Sequence, residues 1–139
     1  MRSDCPLNFG LEIFGDRWSL LIIRDLMFFG KRYYNEFLLS AEEISTNILA
    51  DRLTMLEKEK IIRKSRDKDH KQKLMYNLTQ KGIDLVPVII EIGLWSEKYA
   101  SRLNAGRDVI LGEARRNREK GVKLIRERLK KQHLTIIRG

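Results

Sequence analysis

The stretch from residue 44 to residue 78 constrains the fold most, because a helical pattern passes directly into a basic hairpin pattern. Ser45 has a hydroxyl suited to accept from the free N–H groups of a helix that begins at Thr46. Apolar residues then recur at three- and four-residue spacing, which indicates one face packed on a core. They are Ile48, Leu49, Leu53 and Leu56. The opposite face carries short or polar side chains, namely Thr46, Asn47, Ala50, Asp51, Arg52 and Met55.

A second helix is predicted just before this one. Residues 34–39 form a short amphipathic segment, and a turn at residues 40–43 makes the pair a helix-turn-helix candidate. The pair alone fits two surface helices of an all-α domain equally well, because such patterns are common by chance.

The segment that follows favours the helix-turn-helix interpretation. Residues 61–66 and 73–78 are strand-like runs joined by a polar turn, and from Lys58 to Lys73 there are eight Lys or Arg against three Asp or Glu. A solvated charge run is the alternative. However, a positive hairpin directly after a helix-turn-helix is where a wing would meet phosphates. The order predicts a mainly α fold with a small β-hairpin, a winged helix-turn-helix.

Thr79 is predicted to cap one further long helix after the wing. Its apolar positions are Ile83, Val86, Ile89, Ile90 and Trp95. Trp18 and Trp95 are interpreted as core or dimer-interface residues rather than as ligand platforms.

From Cys5 to about Tyr99 the chain resembles the HxlR family of small winged-helix transcription regulators, within the broader MarR-like class. The resemblance rests on several motifs in the right order. They are Cys5-Pro6, the run GDRWSLLIIRDL at residues 15–26, Tyr34-Asn35-Glu36-Phe37, Ile44-Ser45, Leu49, Arg52-Leu53, Leu56-Glu57, Tyr76-Asn77-Leu78-Thr79, Gly82, Leu85, Pro87 and Trp95.

The chain also departs from the family pattern at several positions. Lys60 stands where glycine is usual after the recognition helix, and Glu42-Glu43 stands where Pro-Gly is common. A left-handed backbone at Lys60 would cost about 1 kcal/mol. Tyr33 replaces a usual Arg, and the wing has extra charge in place of a frequent Pro-Pro.

The resemblance implies a homodimer whose recognition helices bind a double-stranded DNA operator with an inverted-repeat sequence. In the family the dimer is formed by the N-terminal helix and the helix after the wing. Carried over to this chain, the interface would consist of Leu7, Phe9, Leu11, Val86, Ile89, Ile90, Leu94 and Trp95. The N-terminal Cys5 resembles a family cysteine that is thought to respond to oxidants or electrophiles in several members; a purely structural cysteine is the alternative.

Candidate DNA contacts lie on the recognition helix, before it and on the wing. Asn47, at the second helical residue, can pair with adenine, and Arg52 could reach guanine or a flanking phosphate. The full set is Lys31, Arg32, Ser45, Thr46, Asn47, Ala50, Asp51, Arg52, Arg63, Arg66, Lys68 and Lys71. Two alternatives stay open: a winged-helix protein-interaction module without sequence-specific DNA binding, and an RNA-associated basic protein.

The net charge of +9 is concentrated at the end of the chain. Residues 1–101 have 16 basic and 15 acidic side chains, whereas residues 102–139 have 12 and 4. We therefore predict a winged helix-turn-helix and dimerisation domain at residues 1–103 and a basic, helical extension at residues 104–139. The extension either adds phosphate contacts, packs across a dimer or is a solvated tail. Its apolar stripe consists of Leu111, Ala114, Val122, Ile125 and Leu129.

Nothing in the sequence points to an enzyme, a metal or a cofactor. His70 and His133 are far apart, and there is no glycine-rich phosphate loop, nucleophile elbow or HExxH pattern. No apolar run approaches the roughly 18 residues of a membrane helix, and no hydrophobic signal region is present, so we expect a cytoplasmic protein. A single cysteine excludes an internal disulfide.

Overall fold

The structure is a computed structural model that describes residues 2–70, 72–104 and 106–134. Lys71, one of the predicted phosphate contacts, lies outside these residues. The chain divides into two compact units, Met1–Thr79 and Gln80–Gly139.

The first unit contains four helices and a β-hairpin. In chain order they are α1 (Pro6–Phe14), α2 (Ser19–Phe28), α3 (Tyr34–Phe37), α4 (Thr46–Lys58), β1 (Ile62–Arg66) and β2 (Leu74–Leu78). The strands pair antiparallel from Ile62 opposite Leu78 to Arg66 opposite Leu74, and Tyr33 forms an isolated bridge with Met75. This arrangement confirms the predicted fold class, a mainly helical winged helix-turn-helix with a small hairpin.

The predicted recognition helix α4 begins where the sequence indicated. The Ser45 hydroxyl accepts from the backbone N–H of Ile48 at 3.3 Å, which satisfies one of the unpaired donors at the helix start. Leu49, Leu53 and Leu56 are buried as predicted. Ile48 was wrongly assigned to that stripe: it is 38% exposed. One helical step of about 100° from Leu49 moves it off the core-facing side.

The end of α4 requires a left-handed residue. The Lys60 N–H donates to the carbonyl of Glu57 and the Ile61 N–H donates to that of Leu56, both at 2.9 Å. These two bonds define a Schellman motif, in which the residue after the C-cap adopts positive φ. Lys60 has φ 62°, and Glu43, in the turn before α4, has φ 58°. Both stand where the HxlR pattern commonly has glycine, so the backbone is strained at both ends of α4.

The second unit contains α5 (Gln80–Ile83), α6 (Val86–Tyr99), α7 (Arg107–Leu111), a 3-10 helix (Gly112–Arg115) and α8 (Arg118–His133). The prediction of one continuous helix after Thr79 was wrong, because the chain forms α5 and α6 separately. Pro87 explains the break: it has no N–H to donate to Ile83, and its ring would crowd that carbonyl. The Thr79 hydroxyl instead donates to the carbonyl of Ile61 at 3.1 Å.

Residues 107–134 pack into this unit, so the solvated-tail alternative is wrong for them. Leu111, Ala114, Ile125 and Leu129 are buried, and α8 lies against α5, α6 and the 3-10 helix. Gly121 permits this packing, because a Cβ there would lie 2.3 Å from the backbone nitrogen of Ala114. The predicted boundary after residue 103 therefore falls inside the second compact unit. Within the described residues, no helix has both the length and the apolar character that crossing a bilayer demands.

The left-handed Lys60 generates a stability prediction. Lys60→Gly should raise the free energy of unfolding by about 0.5 to 1 kcal/mol, because glycine adopts positive φ without a Cβ clash. Urea denaturation measures the change. Glu59→Gly is the matched control, since Glu59 has φ −79° and should lose stability through added unfolded-state entropy. Destabilisation by Lys60→Gly would contradict the strained geometry.

Candidate nucleic-acid interface

The outer face of α4 presents polar and small side chains near its N-terminus. Thr46, Asn47, Ala50 and Asp51 are exposed, as is the capping residue Ser45. The Tyr34 hydroxyl donates to the carbonyl of Thr46 at 3.1 Å and thereby joins α3 to the start of α4. The start of α4 therefore exposes the Asn47 amide, the Ser45 and Thr46 hydroxyls and the Ala50 methyl group. Its backbone is held by the Ser45 cap and by the hydrogen bond from Tyr34.

Arg52, predicted to read guanine or hold a phosphate, is paired with carboxylates of its own chain. Its guanidinium lies 2.5 Å from Asp51 and 3.3 Å from Asp16, and its side chain is only 26% exposed. The hydrogen bond to Asp51 raises the pKa of Arg52 above its usual value. This arginine is therefore held against α4 and the start of α2.

Asp16 connects α4 to the beginning of α2. One of its carboxylate oxygens accepts from the backbone N–H groups of Trp18 and Ser19, both at 2.9 Å, and the other accepts from the Ser19 hydroxyl at 2.5 Å. Burial opposes ionisation of Asp16, but the hydrogen bonds from Ser19 and Trp18 and the charge of Arg52 together lower its pKa. No local sequence signal indicates this link, because Asp16 and Arg52 are far apart along the chain.

The two basic residues before α3 are also engaged inside the first unit. Lys31 Nζ lies 3.0 Å from the Ser40 hydroxyl and 3.4 Å from the buried carboxylate of Asp25. Arg32 donates to the side-chain carbonyl of the buried Asn77, and burial lowers the pKa of its guanidinium. Both residues hold the turn and hairpin together, so their availability to phosphates is less than the sequence suggested.

An ion-pair network fixes the turn between α3 and α4. Arg24 donates two hydrogen bonds to the Glu42 carboxylate, at 2.8 and 2.9 Å, and also pairs with Asp25 at 2.8 Å. Asp25 also accepts from the Ser40 hydroxyl. The hydrogen bonds from Arg24 lower the pKa of Glu42. This network anchors the turn that contains the left-handed Glu43 and precedes α4.

The wing presents its charges with different exposure. Arg66 and Lys68 are exposed near the turn of the hairpin, whereas Arg63 is half-buried and burial lowers its pKa. Of the predicted wing contacts that the structure describes, Arg66 and Lys68 are therefore more exposed than Arg63.

Tyr33 orders the wing, a role that the sequence reasoning missed. Its hydroxyl donates to Asp67, and that bond raises the pKa of Tyr33 to about 12. Asp67 in turn accepts from the backbone N–H groups of Asp69 at 2.8 Å and His70 at 3.0 Å. The Lys73 ammonium also lies 4.5 Å from the centre of the Tyr33 ring. The sequence signal for this role is that Tyr33 stands where the family usually has Arg.

The predicted dimer residues divide into exposed and buried sets. On α1, Leu7, Phe9 and Leu11 are exposed, as an interface requires. On α6, Trp95 is 67% exposed, and Leu94 is half-buried. Val86, Ile89 and Ile90 on α6 are buried within their own chain, which leaves little of these side chains for a partner. The exposed apolar stripe of α6 is instead Ile92, Trp95 and Tyr99.

Cys5 lies just before α1 and is exposed. Its carbonyl accepts from the N–H of Phe9 at 3.1 Å, so the residue is held at the helix start while its thiol faces solvent. That exposure meets the access requirement for a reactive thiol.

These elements match a known family along most of the chain. A family model for the HxlR-like helix-turn-helix matches residues 13–104. The chain belongs to this family. The match contains α2 to α6 and the wing, whereas α7 and α8 lie outside it.

Relatives of this HxlR-like protein are transcription regulators. The HTH-type regulator YdeP of Bacillus subtilis is 33% identical over 72% of this chain and 77% of its own length. YodB of the same organism is also 33% identical, over 68% of this chain and 85% of its own length.

Solved structures agree with that assignment. Reduced YodB of B. subtilis has a TM-score of 0.59 at 28% identity, covering 73% of this chain and all of its own. The redox regulator HypR in its oxidized form has a TM-score of 0.60 at 29% identity, covering 68% of this chain and 96% of its own. This HxlR-like chain therefore has the winged-helix fold of helix-turn-helix transcription regulators.

The Arg24–Glu42 pair generates a pH-dependent stability prediction. Because the folded-state pKa of Glu42 is lowered, its stabilisation is fully present above the ordinary carboxyl pKa and is lost as pH falls through the lowered value. Glu42→Gln should reduce the free energy of unfolding by about 1 to 2 kcal/mol at neutral pH, and this loss should shrink as the pH falls through the lowered pKa of Glu42.

Chemical denaturation at neutral pH and at a series of acidic pH values measures this difference. Glu43→Gln is the matched control, because it removes a neighbouring exposed charge that has no ion pair among those found in the described residues. Equal losses for both variants at neutral pH would mean that the Arg24–Glu42 pair does not stabilise the turn.

Proposed function

We propose that this chain is a sequence-specific DNA-binding transcriptional regulator that acts as a homodimer. The observation that carries the proposal is the exposed first turn of α4, where Thr46 and Asn47 project from a capped and anchored helix beside a basic wing. Membership in a family of helix-turn-helix transcription regulators supports the same role.

In the proposed mechanism, α4 enters the major groove with its N-terminal end. Asn47 can donate to and accept from the edge of an adenine, and Thr46 can contact a neighbouring base or phosphate. Arg52, neutralised by Asp16 and Asp51, acts chiefly as a positioning residue for α4. In this assignment the first turn of α4, rather than Arg52, contacts the bases directly.

Phosphate contacts come from the wing and from the extension. Arg66 and Lys68 would hold the backbone beside the groove, an interaction that fixes register without reading sequence. In α8, Lys120, Lys123 and Lys130 are exposed on the side opposite the buried Ile125 and Leu129. We assign this face to additional, sequence-independent contact with DNA.

A homodimer would place two α4 helices on successive major grooves, about 34 Å apart along one face of DNA. The exposed apolar side chains of α1 and of α6 support such an assembly, since large exposed apolar patches mark interaction sites. A two-fold arrangement predicts an operator with inverted-repeat symmetry. The competing function is a winged-helix protein-interaction module, for which DNA sequence would make no difference to binding.

Asn47→Ala tests base reading directly. It should weaken binding to the preferred operator by about 1 to 3 kcal/mol and relax the preference at one position of each half-site. Electrophoretic mobility or anisotropy titrations against operator and scrambled DNA measure both effects. Asn104→Ala, an exposed asparagine after α6, is the matched control and should change neither. Unchanged discrimination between operator and scrambled DNA by Asn47→Ala would remove α4 from base recognition.

The wing makes a separate, salt-dependent contribution. Each lost phosphate contact should reduce the slope of log affinity against log salt by about 0.9. The double substitution of Arg66 and Lys68 to Ala should therefore flatten that slope while leaving the ratio of operator to scrambled binding almost unchanged. A slope equal to that of the unmodified protein would exclude both side chains from the interface.

We also propose that Cys5 makes the regulator responsive to oxidants or electrophiles. The exposed thiol of Cys5 supports this proposal. Two similar proteins support it as well: HypR is a redox regulator, and YodB has been solved in a quinone-bound form. The quinone-bound YodB structure has a TM-score of 0.54 at 31% identity, covering 68% of this chain and 99% of its own. A mild oxidant or a quinone should change operator affinity in the unmodified protein and have no effect on Cys5→Ser, because the chain contains no other cysteine. Equal responses in both proteins would make Cys5 a structural residue.

A further inference from the structure

Asp51 places a carboxylate on the outward side of α4, on the same face as the Asn47 amide. The Asp51 side chain is 68% exposed, and Asn47 is exposed as well. Residues four apart on a helix are neighbours on one face, so the two side chains project in the same direction. At a rise of about 1.5 Å per residue, they are separated by about 6 Å along the helix axis.

Arg52 holds one oxygen of the Asp51 carboxylate. The Nε of Arg52 donates to Asp51 Oδ2 at 3.0 Å, and its Nη2 donates to the same oxygen at 2.5 Å. Arg52 is itself held from the other side, since its Nη1 lies 3.3 Å from Asp16 Oδ1. Asp51 Oδ1 accepts no hydrogen bond among those found in the described residues. One acceptor oxygen is thus left for a partner, and the Arg52 pair sets its direction.

The charges around Asp51 allow its carboxylate to approach DNA. The Arg52 guanidinium offsets the negative charge of Asp51. Asp16, the second carboxylate on Arg52, accepts from the backbone N–H groups of Trp18 and Ser19 at the start of α2, and the partial positive charge of that helix end offsets Asp16 in turn. Asp51 is therefore repelled less by phosphates than an unpaired carboxylate would be.

The chemistry of a carboxylate determines which base it can contact. An ionised carboxylate accepts hydrogen bonds and cannot donate them. In the major groove guanine presents only acceptors, and thymine presents an acceptor and a methyl group, so neither base can bond to it. Adenine presents an amino donor beside the N7 acceptor, which would repel the carboxylate, whereas cytosine presents an amino donor without such a neighbour. The single available oxygen of Asp51 therefore matches cytosine best.

We propose that Asp51 is a second base-reading residue, which selects cytosine in each half-site of the operator, and that Arg52 positions its carboxylate. This role for Asp51 rests on the proposed function, because it requires α4 to lie in the major groove. The separation of about 6 Å along the helix corresponds to about two base-pair steps of about 3.4 Å each. The cytosine should accordingly lie about two base pairs from the position read by Asn47.

Selection of the full-length protein and of Asp51→Asn against a random pool of double-stranded DNA tests this role. At one position of the half-site the unmodified protein should prefer cytosine over each other base by about tenfold. An asparagine amide both donates and accepts, so Asp51→Asn should lose that preference and favour adenine at the same position. The preference that depends on Asn47 should stay intact. Base discrimination is the readout, because loss of an acidic charge can strengthen binding to DNA of any sequence.

Two further variants separate base reading from general charge effects. Asp108→Asn is the matched control, because Asp108 is an exposed aspartate of the second unit that also pairs with an arginine, Arg115, at 3.0 Å. This control should leave every base preference unchanged. Arg52→Lys keeps the positive charge but loses the planar fork that holds Asp51, so it should reduce the cytosine preference at the same position.

A pool that stays random would mean that α4 reads no bases, which overturns both the proposed function and the role of Asp51. If an operator is enriched and Asn47→Ala changes its base preference, whereas Asp51→Asn changes none, the function stands and Asp51 is not a base-reading residue. A preferred base other than cytosine at the position that Asp51→Asn alters would also refute the assignment. An unchanged cytosine preference in Arg52→Lys would refute the positioning role of Arg52.

Discussion

The burial of Leu49, Leu53 and Leu56 determines which side of α4 is left for a partner. These three leucines are almost completely inaccessible to solvent, so rotating the helix about its axis would expose them and bury polar groups instead. The opposite side then carries Asn47 and Asp51 outward, and Thr46 is exposed as the first residue of the helix. The orientation of the proposed reading surface is therefore a consequence of core packing.

Contacts at both ends of α4 also fix its position in the first unit. At the start, Ser45 caps the helix and Tyr34 bonds to Thr46; at the end, the left-handed Lys60 closes the chain into the wing. Glu43 and Lys60 place strain at positions where a glycine would relieve it. The ion pairs of Arg24 with Glu42 and of Arg52 with Asp16 offset part of that cost by joining the helix and its turn to α2.

Local sequence rules predicted the elements whose causes are local. The Ser45 cap, the core stripe, the hairpin and the glycine-like position at Lys60 all depend on neighbours within a few residues. The roles of Arg52 and Arg32 were not predicted, because their partners Asp16 and Asn77 are distant in sequence. Lys31 lies closer to its partner Asp25, but the helical pattern around Asp25 gives no sign of the pair. The break at Pro87 was predictable in principle from the missing N–H, but the apolar periodicity on both sides concealed it. Burial of Val86 and Ile90 likewise depends on tertiary packing that periodicity does not reveal.

The central claim is that the exposed first turn of α4 reads DNA sequence as part of a two-fold dimer. Selection of the purified full-length protein against a random pool of double-stranded DNA tests it most directly. The account predicts enrichment of one inverted repeat whose half-sites are separated by about one helical turn, with loss of preference at the position contacted by Asn47 when that residue is alanine. A pool that remains random after repeated selection, although the protein stays folded and binds DNA non-specifically, would contradict it.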